Sequence, residues 1–139
     1  MSAQDIVRVV QQAYASFQRG DMEALLGSMS ADVDWCPPDI AGVPFAHPHR
    51  GAEEVARFFT TIAGLQEPQV FEPREFIASD ERVVALGYYR WRVRATGREF
   101  ESAFAHAFTV RDGRIAAFRE YTDTAALAAA YEAQVAIAR

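Results

Sequence analysis

Residues 98–122 read REFESAFAHAFTVRDGRIAAFREYT, and apolar and polar side chains alternate on both sides of a central Asp-Gly pair. A period of two is typical of half-buried β-strands, and Asp-Gly is a preferred hairpin turn. The stretch therefore predicts antiparallel strands at about 98–110 and 114–122, joined at Asp112-Gly113. This hairpin makes an antiparallel sheet the centre of the predicted fold.

The sequence on either side of this hairpin predicts more strands and several helices. The period of two continues upstream and predicts strands near 69–79 and 82–95, so the second half of the chain is an antiparallel meander. In the first half, apolar residues recur at helical spacing. The elements predicted outside the meander are a helix over about 6–17, a short helix capped by Asp21, a strand over 33–36, a loop over 37–50, a helix over about 52–63 that stops at Gly64, and an alanine-rich helix from Asp123 or Thr124 to about Ala136.

Composition limits the classes of partner. The chain has 139 residues, half of them apolar, which suits one domain over residues 1–139. Its 14 basic and 19 acidic residues give a formal charge of −5, so we expect no nucleic-acid partner. A single cysteine, Cys36, favours a reducing, cytoplasmic location. The N-terminal residues lack an export-signal pattern and no apolar run approaches the ~18 residues of a membrane helix, so no membrane partner is expected.

Charge pairing predicts the register of the central hairpin. If Thr96-Gly97 is a two-residue turn, two opposite-charge pairs form across the strands. Those pairs are Arg94 with Glu99 and Arg92 with Glu101. The other face then carries aromatic side chains and one histidine, His106, with Gly87 directly across from it. Helices packed on this face define an α+β domain with a pocket between helices and sheet.

Several short motifs are similar to those of a known family. They are RGDMEAL at 19–25, ADVDW at 31–35, Arg50-Gly51 before a helix, FTVRDGRI at 108–115 and FREYTDTAAL at 118–127. With these motifs, nearly the whole chain resembles the SnoaL-like and ketosteroid-isomerase-like branch of the nuclear transport factor 2-like superfamily. The resemblance implies a cone-shaped, cystatin-like α+β fold, in which a curved antiparallel sheet packs against three to four helices around an interior pocket, usually as a homodimer. It does not fix a reaction, because the family includes isomerases, polyketide cyclases, dehydratases, epoxide hydrolases and proteins without known chemistry.

His106 is the leading candidate for a catalytic role. A polar ring midway along a strand of phenylalanines needs a partner or a ligand. By resemblance, isomerase-like members place a donor to the substrate oxygen at this position, and cyclase-like members place a histidine there. The alternative is a core histidine whose hydrogen bonds are satisfied by the protein itself.

Whether Glu120 shares the face of His106 depends on the turn between the two strands. A three-residue hairpin over 111–113, with its glycine as a bulge, places Phe118 opposite His106 and Glu120 diagonally beside it. A two-residue turn places Arg119 opposite His106 and turns Glu120 to the other side. The resemblance favours the bulge, because cyclase-like members carry an acidic group at the position of Glu120. A carboxylate beside an imidazole, which ordinarily titrates near neutral pH, suits general acid–base chemistry next to a carbonyl.

Three further positions bear on the chemistry. Tyr14 lies on the apolar face of the first helix, where family members use a tyrosine, although a gap-free alignment from Gly20-Asp21 puts Ala13 at that place. Pro37 stands where isomerase-type members carry the aspartate base, so the steroid-isomerase mechanism is not expected. Asp39, two residues later, is interpreted as a turn residue. The side chains expected to contact a ligand are Trp35, Tyr89, Trp91, Phe104, Phe108 and Phe118.

The sequence indicates neither a cofactor nor a metal. It contains no nucleotide-binding, dinucleotide-binding, serine-hydrolase or zinc-protease motif. The two histidines of His47-Pro48-His49 adjoin no acidic or cysteine ligand, so we interpret this segment as a mobile entrance loop rather than a metal site. The outer face of the sheet carries three small residues, Ala103, Ala105 and Ala107, and predicts a homodimer through that face.

The leading hypothesis is a small cofactor-independent enzyme that uses His106 and Glu120 as an acid–base pair. Its reaction would be an isomerisation, a cyclisation or a hydro-lyase reaction on an apolar carbonyl or polyketide-like molecule, with Tyr14 as a further catalytic residue. One alternative is a non-catalytic protein whose pocket only binds a small hydrophobic molecule. The other is a dimeric interaction domain of the same fold.

Overall fold

The computed structural model describes the backbone of residues 1–137 and the side chains of residues 1–132. Within this part, a six-stranded curved sheet runs in the order β2-β1-β6-β5-β4-β3. All neighbouring strands are antiparallel except β1 and β6, which are parallel. The elements are α1 (Ala3–Arg19), α2 (Met22–Gly27), β1 (Met29–Cys36), β2 (His49–Arg50), α3 (Ala52–Leu65), β3 (Gln66–Ser79), β4 (Arg82–Val93), β5 (Glu99–Arg111), β6 (Arg114–Tyr121) and α4 (Thr124–Ile137). The predicted α+β class is confirmed.

Local caps explain where the first two helices begin and end. Ser2 and Asp5 form a capping box at the start of α1, and Gly20 ends the helix with a φ of 72°. The side chain of Asp21 then accepts a hydrogen bond from the backbone of Ala24 at 3.1 Å and starts α2. This cap confirms the predicted role of Asp21.

The third helix ends later than the sequence predicts. Gly64 was expected to stop it, but α3 runs through Gly64 to Leu65, and the chain passes directly into β3. Gly64 does not adopt a positive φ, so it offers no left-handed stop. The backbone N–H of Gln66, which is the first residue of β3, bonds to the carbonyl of Ile62 and closes the last turn.

The segment between β1 and β2 packs on the core. Val43, Phe45 and Ala46 are buried, and the N–H of Ile40 donates to the carbonyl of Ala46 at 3.0 Å. The last two residues of the predicted loop form the short strand β2, which pairs with β1. The loop therefore contributes a wall to the interior.

The loop between β4 and β5 is longer than the predicted turn. The N–H of Val93 donates to the carbonyl of Arg98 at 2.8 Å, so four residues, 94–97, lie between the last paired residues, and the N–H of Gly97 donates to the carbonyl of Val93 at 2.8 Å. The predicted two-residue turn at Thr96-Gly97 is wrong, and the register shifts by two. Because two is an even number, every side chain keeps its predicted face. The pairs across the strands are Arg92 with Glu99, Arg90 with Glu101, and Ala85 with His106.

Gly87 consequently lies opposite Phe104 rather than His106. A Cβ at Gly87 would overlap the Phe104 ring and the backbone carbonyl of Glu72 on β3. Because Gly87 has no Cβ, the Phe104 ring can lie across β4 at this position. The ring stacks on that of His106, with the centroids 4.1 Å apart and an interplanar angle of 21°. The glycine thus makes room for the aromatic ring that supports the histidine.

The core lies between the concave face of the sheet and the helices. α1 contributes Ile6, Val10, Ala13 and Tyr14, while α4 contributes Leu127 and Ala130. The hydroxyl of Thr96 donates to the carbonyl of Ala130 at 2.9 Å and ties α4 to the β4–β5 loop. Among the residues described, no helix is long and apolar enough to cross a membrane.

Candidate functional site

A cavity of about 90 Å³ lies between the helices and the concave face of the sheet. Most of its wall is apolar and aromatic. The three predicted catalytic residues, Tyr14, His106 and Glu120, all line it, and so do five of the six predicted ligand contacts. Those five are Trp35, Tyr89, Trp91, Phe108 and Phe118. The sixth, Phe104, does not line the cavity, and its ring stacks on that of His106.

A backbone bulge decides that Glu120 faces the cavity. The turn at Asp112-Gly113 has two residues, both with positive φ, of 51° and 77°. Beyond it, Ala116 is an extra residue in β6, because Ile115 pairs with Val110 while Ala117 pairs with Thr109. Glu120 is therefore directly opposite His106, and Phe118 is opposite Phe108. Neither of the two turns that the sequence allows is correct in full. The turn has two residues, but the bulge at Ala116 brings Glu120, and not Arg119, opposite His106.

Tyr14, His106 and Glu120 form a hydrogen-bonded chain. Atom Oη of Tyr14 lies 2.6 Å from Nδ1 of His106, and Nε2 of His106 lies 2.8 Å from Oε2 of Glu120. An ionised carboxylate only accepts hydrogen bonds, so Nε2–H donates to Glu120. The lone pair on Nδ1 then accepts the hydroxyl hydrogen of Tyr14. The carboxylate thus fixes Nε2 as the ring nitrogen that carries a hydrogen.

Tyr89 and Thr122 extend the chain on the other side of Glu120. The hydroxyl of Tyr89 lies 3.2 Å from Oε2 of Glu120 and 2.6 Å from Oγ1 of Thr122. Tyr89 has one hydroxyl hydrogen, which goes to the carboxylate, so Thr122 donates to Tyr89. One oxygen of Glu120 therefore accepts hydrogen bonds from both His106 and Tyr89.

Burial and the negative charge of Glu120 keep both tyrosines protonated. Burial is the larger cause and raises the pKa of Tyr14 far above its ordinary value, and Glu120 raises it further. The pKa of Tyr89 is raised in the same way, first by burial and then by Glu120. Both phenols are therefore hydrogen-bond donors at neutral pH, and neither is a base.

Aromatic rings hold the imidazole in place. Phe104 stacks on one side of it, and Phe118 meets it edge-on, with ring centroids 4.9 Å apart and an angle of 65°. Phe118 in turn stacks on Trp35 at 3.9 Å and 15°. The indole Nε1 of Trp35 is buried and has no hydrogen-bond partner in the part of the chain that the structure describes. The histidine is thus packed as tightly as a core residue while its polar atoms bond to Tyr14 and Glu120.

The sequence did not single out every polar residue of the cavity. Gln66 is buried in the wall, and its Oε1 accepts a hydrogen bond from the hydroxyl of Tyr131 on α4 at 2.6 Å. Gln66 lies where α3 passes into β3, between two predicted elements, so no periodic pattern marked it. Thr122 follows β6 immediately and was also missed. His106 was identified because it stands in the place of an apolar side chain in the alternating segment 103–108. Gln66 and Thr122 do not stand in such a segment.

The remaining sequence candidates lie elsewhere. Asp39 is exposed and is not among the residues that line the cavity. His49 is buried, and its Nε2 lies 2.9 Å from the carbonyl of Phe45, whereas His47 is exposed. Among the described residues, no group of three or more His, Cys, Asp or Glu side chains could hold a metal ion.

Comparison with known proteins adds a family and a fold. A family model described as a SnoaL-like domain matches residues 10–118. An NTF2-like protein from Burkholderia xenovorans is 37% identical, with a TM-score of 0.87 over 94% of this chain and 98% of that one. An NTF2-like protein of unknown function from Burkholderia pseudomallei is 30% identical, with a TM-score of 0.82 over 91% and 95%. TerC, co-crystallised with polyporic acid, is 25% identical, with a TM-score of 0.80 over 92% and 98%. Comparison with curated proteins gives no match.

Proposed function

The chain belongs to the SnoaL-like family, and on that premise we propose that it is a cofactor-independent enzyme that moves a proton on a small apolar carbonyl compound. The observation that carries the proposal is the chain of hydrogen bonds from Tyr14 through His106 to Glu120 at the wall of an apolar cavity. It joins a donor, a base and a carboxylate that orients the base, and this combination is what enolisation of a ketone requires. The apolar wall excludes water and suits a hydrophobic substrate.

In the first step, the hydroxyl of Tyr14 turns from Nδ1 of His106 to the carbonyl oxygen of the substrate. Nδ1 is then free to take a proton from the adjacent carbon. The C–H bond breaks, its electron pair moves into the enolate, and Tyr14 stabilises the charge on oxygen. Glu120 stabilises the imidazolium ion that forms, because it accepts the hydrogen bond from Nε2.

In the second step, His106 returns the proton or the enolate reacts with a second carbonyl. In a β,γ-unsaturated ketone the enolate extends over the double bond, so return of the proton to the γ carbon isomerises the substrate to the conjugated ketone. Attack on a carbonyl of the same molecule closes a ring, and His106 then donates its proton to the new alkoxide. Both routes balance in protons and electrons without an oxidant, a reductant or a metal.

The proposal is tested by exchange of hydrogen for deuterium at the carbon next to the carbonyl of 4-phenyl-2-butanone in D₂O, followed by NMR. General-base catalysis typically contributes about 10²- to 10⁴-fold, so His106→Gln should slow the exchange at least a hundredfold. Tyr14→Phe removes the donor to the enolate and should cost about 10²-fold. Tyr88→Phe is the matched control, since Tyr88 bonds to Glu101 on the outer face of the sheet at 3.0 Å.

The result that contradicts the proposal is exchange no faster than in buffer, or equal exchange by the wild type and His106→Gln. Thermal unfolding of each variant shows whether it is folded. Glu120→Gln separates orientation from charge, because the amide still accepts a hydrogen bond but no longer carries a negative charge. We expect this variant to bind the ketone and to exchange it more slowly.

A binding protein without catalysis is the second candidate. Tyr14, His106 and Glu120 satisfy one another's hydrogen bonds within the chain, as residues of a structural network do. In that case the cavity only holds a hydrophobic molecule, and polyporic acid, with which the similar protein TerC was co-crystallised, is a candidate ligand. Polyporic acid and 4-phenyl-2-butanone would then bind saturably, and no exchange would follow.

We also propose a homodimer through the outer face of the sheet and, because Cys36 is a lone cysteine, a cytoplasmic location. Ala103, Ala105 and Ala107 line that face, and Ala105 lies between Leu86 on β4 and Tyr121 on β6. Tyr121 is 57% exposed. Sedimentation should show a species of twice 15.5 kDa, and Ala105→Arg should convert it to the monomer. A wild-type monomer at micromolar concentration would refute the dimer.

A further inference from the structure

Tyr89 and His106 both stack on Phe104 and both bond to the same oxygen of Glu120. The Phe104 ring lies 4.1 Å from the His106 ring at an interplanar angle of 21°, and 5.1 Å from the Tyr89 ring at 28°. Nε2 of His106 lies 2.8 Å from Oε2 of Glu120, and the hydroxyl of Tyr89 lies 3.2 Å from that oxygen. The two donors that hold the carboxylate are therefore fixed by one shared ring.

Tyr89 is a rigid anchor for this carboxylate. It is 3% exposed, and its ring also meets that of Phe100 edge-on at 6.2 Å. The side chain of Glu120 is 16% exposed, so water competes for its carboxylate. Fixing the rotatable bonds of a glutamate costs nearly as much free energy as one hydrogen bond to a charged group returns. A single bond to His106 would therefore leave the carboxylate partly free to turn towards water.

Thr122 fixes the direction of the hydroxyl hydrogen of Tyr89. Oγ1 of Thr122 donates to the hydroxyl oxygen of Tyr89 at 2.6 Å, which leaves the hydrogen of Tyr89 for Glu120. The next residue is held as well, because the backbone N–H of Asp123 donates to Oγ of Ser102 at 3.1 Å. Ser102 lies opposite Tyr89 in the pairing of β4 with β5. The hydroxyl of Thr122 therefore reaches Tyr89 from a fixed corner of the backbone.

We propose that Tyr89 and Thr122 are positioning residues that keep the carboxylate of Glu120 against the imidazole. This inference rests on the proposed function, in which Nδ1 of His106 is the base. If the carboxylate turned away, the ring hydrogen could move to Nδ1 and be donated to the hydroxyl oxygen of Tyr14, 2.6 Å away. An Nδ1 atom that carries a hydrogen cannot take a proton from the substrate. The hydroxyl of Tyr89 thus acts on the base, although Tyr89 also lines the cavity.

The test is NMR of the ligand-free protein with isotope-labelled histidines, at about pH 8, where an imidazole is ordinarily neutral. Nitrogen chemical shifts give the ratio of the two tautomers, and magnetisation transfer from water gives the exchange rate of the ring hydrogen. His106→Gln assigns the signals among the three histidines. In Tyr89→Phe the ratio of Nε2–H to Nδ1–H in His106 should fall about tenfold, and the ring hydrogen should exchange about tenfold faster, because a hydrogen bond to a charged group is lost.

Matched variants separate this role from a general loss of packing. Tyr88→Phe removes a neighbouring hydroxyl that bonds to Glu101 on the outer face of the sheet at 3.0 Å, and it should give the wild-type values. Thr122→Val removes the donor to Tyr89 and should change both quantities in the same direction as Tyr89→Phe. Thr122→Ser keeps a hydroxyl and should lie nearer the wild type.

Kinetics of deuterium exchange distinguish a positioning residue from a substrate contact. Tyr89→Phe should lower kcat about tenfold and leave KM within about twofold, because the hydroxyl does not touch the ketone. An unchanged tautomer ratio and exchange rate would overturn the inference, and so would a rise in KM alone. If the NMR changes occur but the wild type exchanges no ketone, the positioning of Glu120 is supported and the proposed function fails. Should Tyr89→Phe show no cooperative thermal unfolding, Thr122→Val provides the same comparison.

Discussion

Replacing Gly87 by alanine tests the packing that positions His106. The new Cβ would overlap two neighbours, the Phe104 ring and the backbone carbonyl of Glu72. The Phe104 ring has little room to move, because it stacks on His106 at 4.1 Å and on Tyr89 at 5.1 Å. The carbonyl of Glu72 belongs to β3, so it moves only if the pairing between β3 and β4 changes. Neither neighbour can yield without breaking a contact of the site.

The size of the effect follows from these constraints. Overpacking a well-filled core costs about 1 to 3 kcal/mol, and two hindered neighbours place Gly87→Ala at about 3 kcal/mol. For a chain of this length, each kcal/mol shifts the melting temperature by roughly 3 °C, so we expect a decrease of roughly 10 °C. Phe104→Leu should recover part of the loss, giving a coupling of at least about 0.5 kcal/mol in a double-mutant cycle.

The assay is thermal unfolding followed by circular dichroism, with Gly64→Ala as the control. A Cβ at Gly64 would have no neighbour within 4 Å, and Gly64 lies within α3. Alanine there should raise stability by about 0.5 kcal/mol, because glycine is a poor helix former. A melting temperature for Gly87→Ala within about 2 °C of the wild type would refute the reasoning, as would strict additivity with Phe104→Leu.

Three further measurements test the polar chain and a cap. Above pH 10 the free energy of unfolding should fall by about 4 kcal/mol per pH unit, because burial raises the pKa values of Tyr14, Tyr89 and Tyr131 and the unfolded chain releases all three protons first. The chain contains no lysine, so urea unfolding at stepped pH should resolve this slope, and Tyr14→Phe should reduce it by about a third. Thr122→Val removes the donor to Tyr89 and should cost about 1 kcal/mol in the wild type but nothing measurable in Tyr89→Phe. Asp21→Ala should cost about 1 kcal/mol and Asp21→Ser much less; equal losses would argue against the cap.

The order and type of the elements could be predicted because their signals are local. Helical spacing, the stop at Gly20 and the cap at Asp21 act within one or two turns, and the structure confirms them. The β4–β5 register could not be predicted from charge alone. In the predicted register Arg92 meets Glu101, in the observed one it meets Glu99, and both pairs are attractive. The two registers differ only in the length of the loop between β4 and β5. That length cannot be deduced from the alternation of apolar and polar residues, because a shift of two residues leaves every side chain on the same face.

The candidate site shows the same limit. His106 was predicted because a polar ring interrupts an apolar strand face, and its contact with Glu120 was left open because it depends on one turn. A gap-free alignment puts Ala13, and not Tyr14, at the position of the family's tyrosine. In the structure both residues line the cavity, and the hydroxyl of Tyr14 is hydrogen-bonded to His106. Gln66 and Tyr131 come together from β3 and α4, which are 65 residues apart, so no local pattern could join them.

The bulge at Ala116 determines which charge reaches His106. With a two-residue turn and regular pairing, Arg119 would face the imidazole, and its positive charge would oppose formation of the imidazolium ion that proton transfer requires. The extra residue in β6 replaces Arg119 with Glu120 at that place. The carboxylate then sets the direction of the hydrogen bonds from His106 and Tyr89, since it can only accept. One irregularity in the backbone thus converts a strand that would repel a protonated histidine into one that stabilises it.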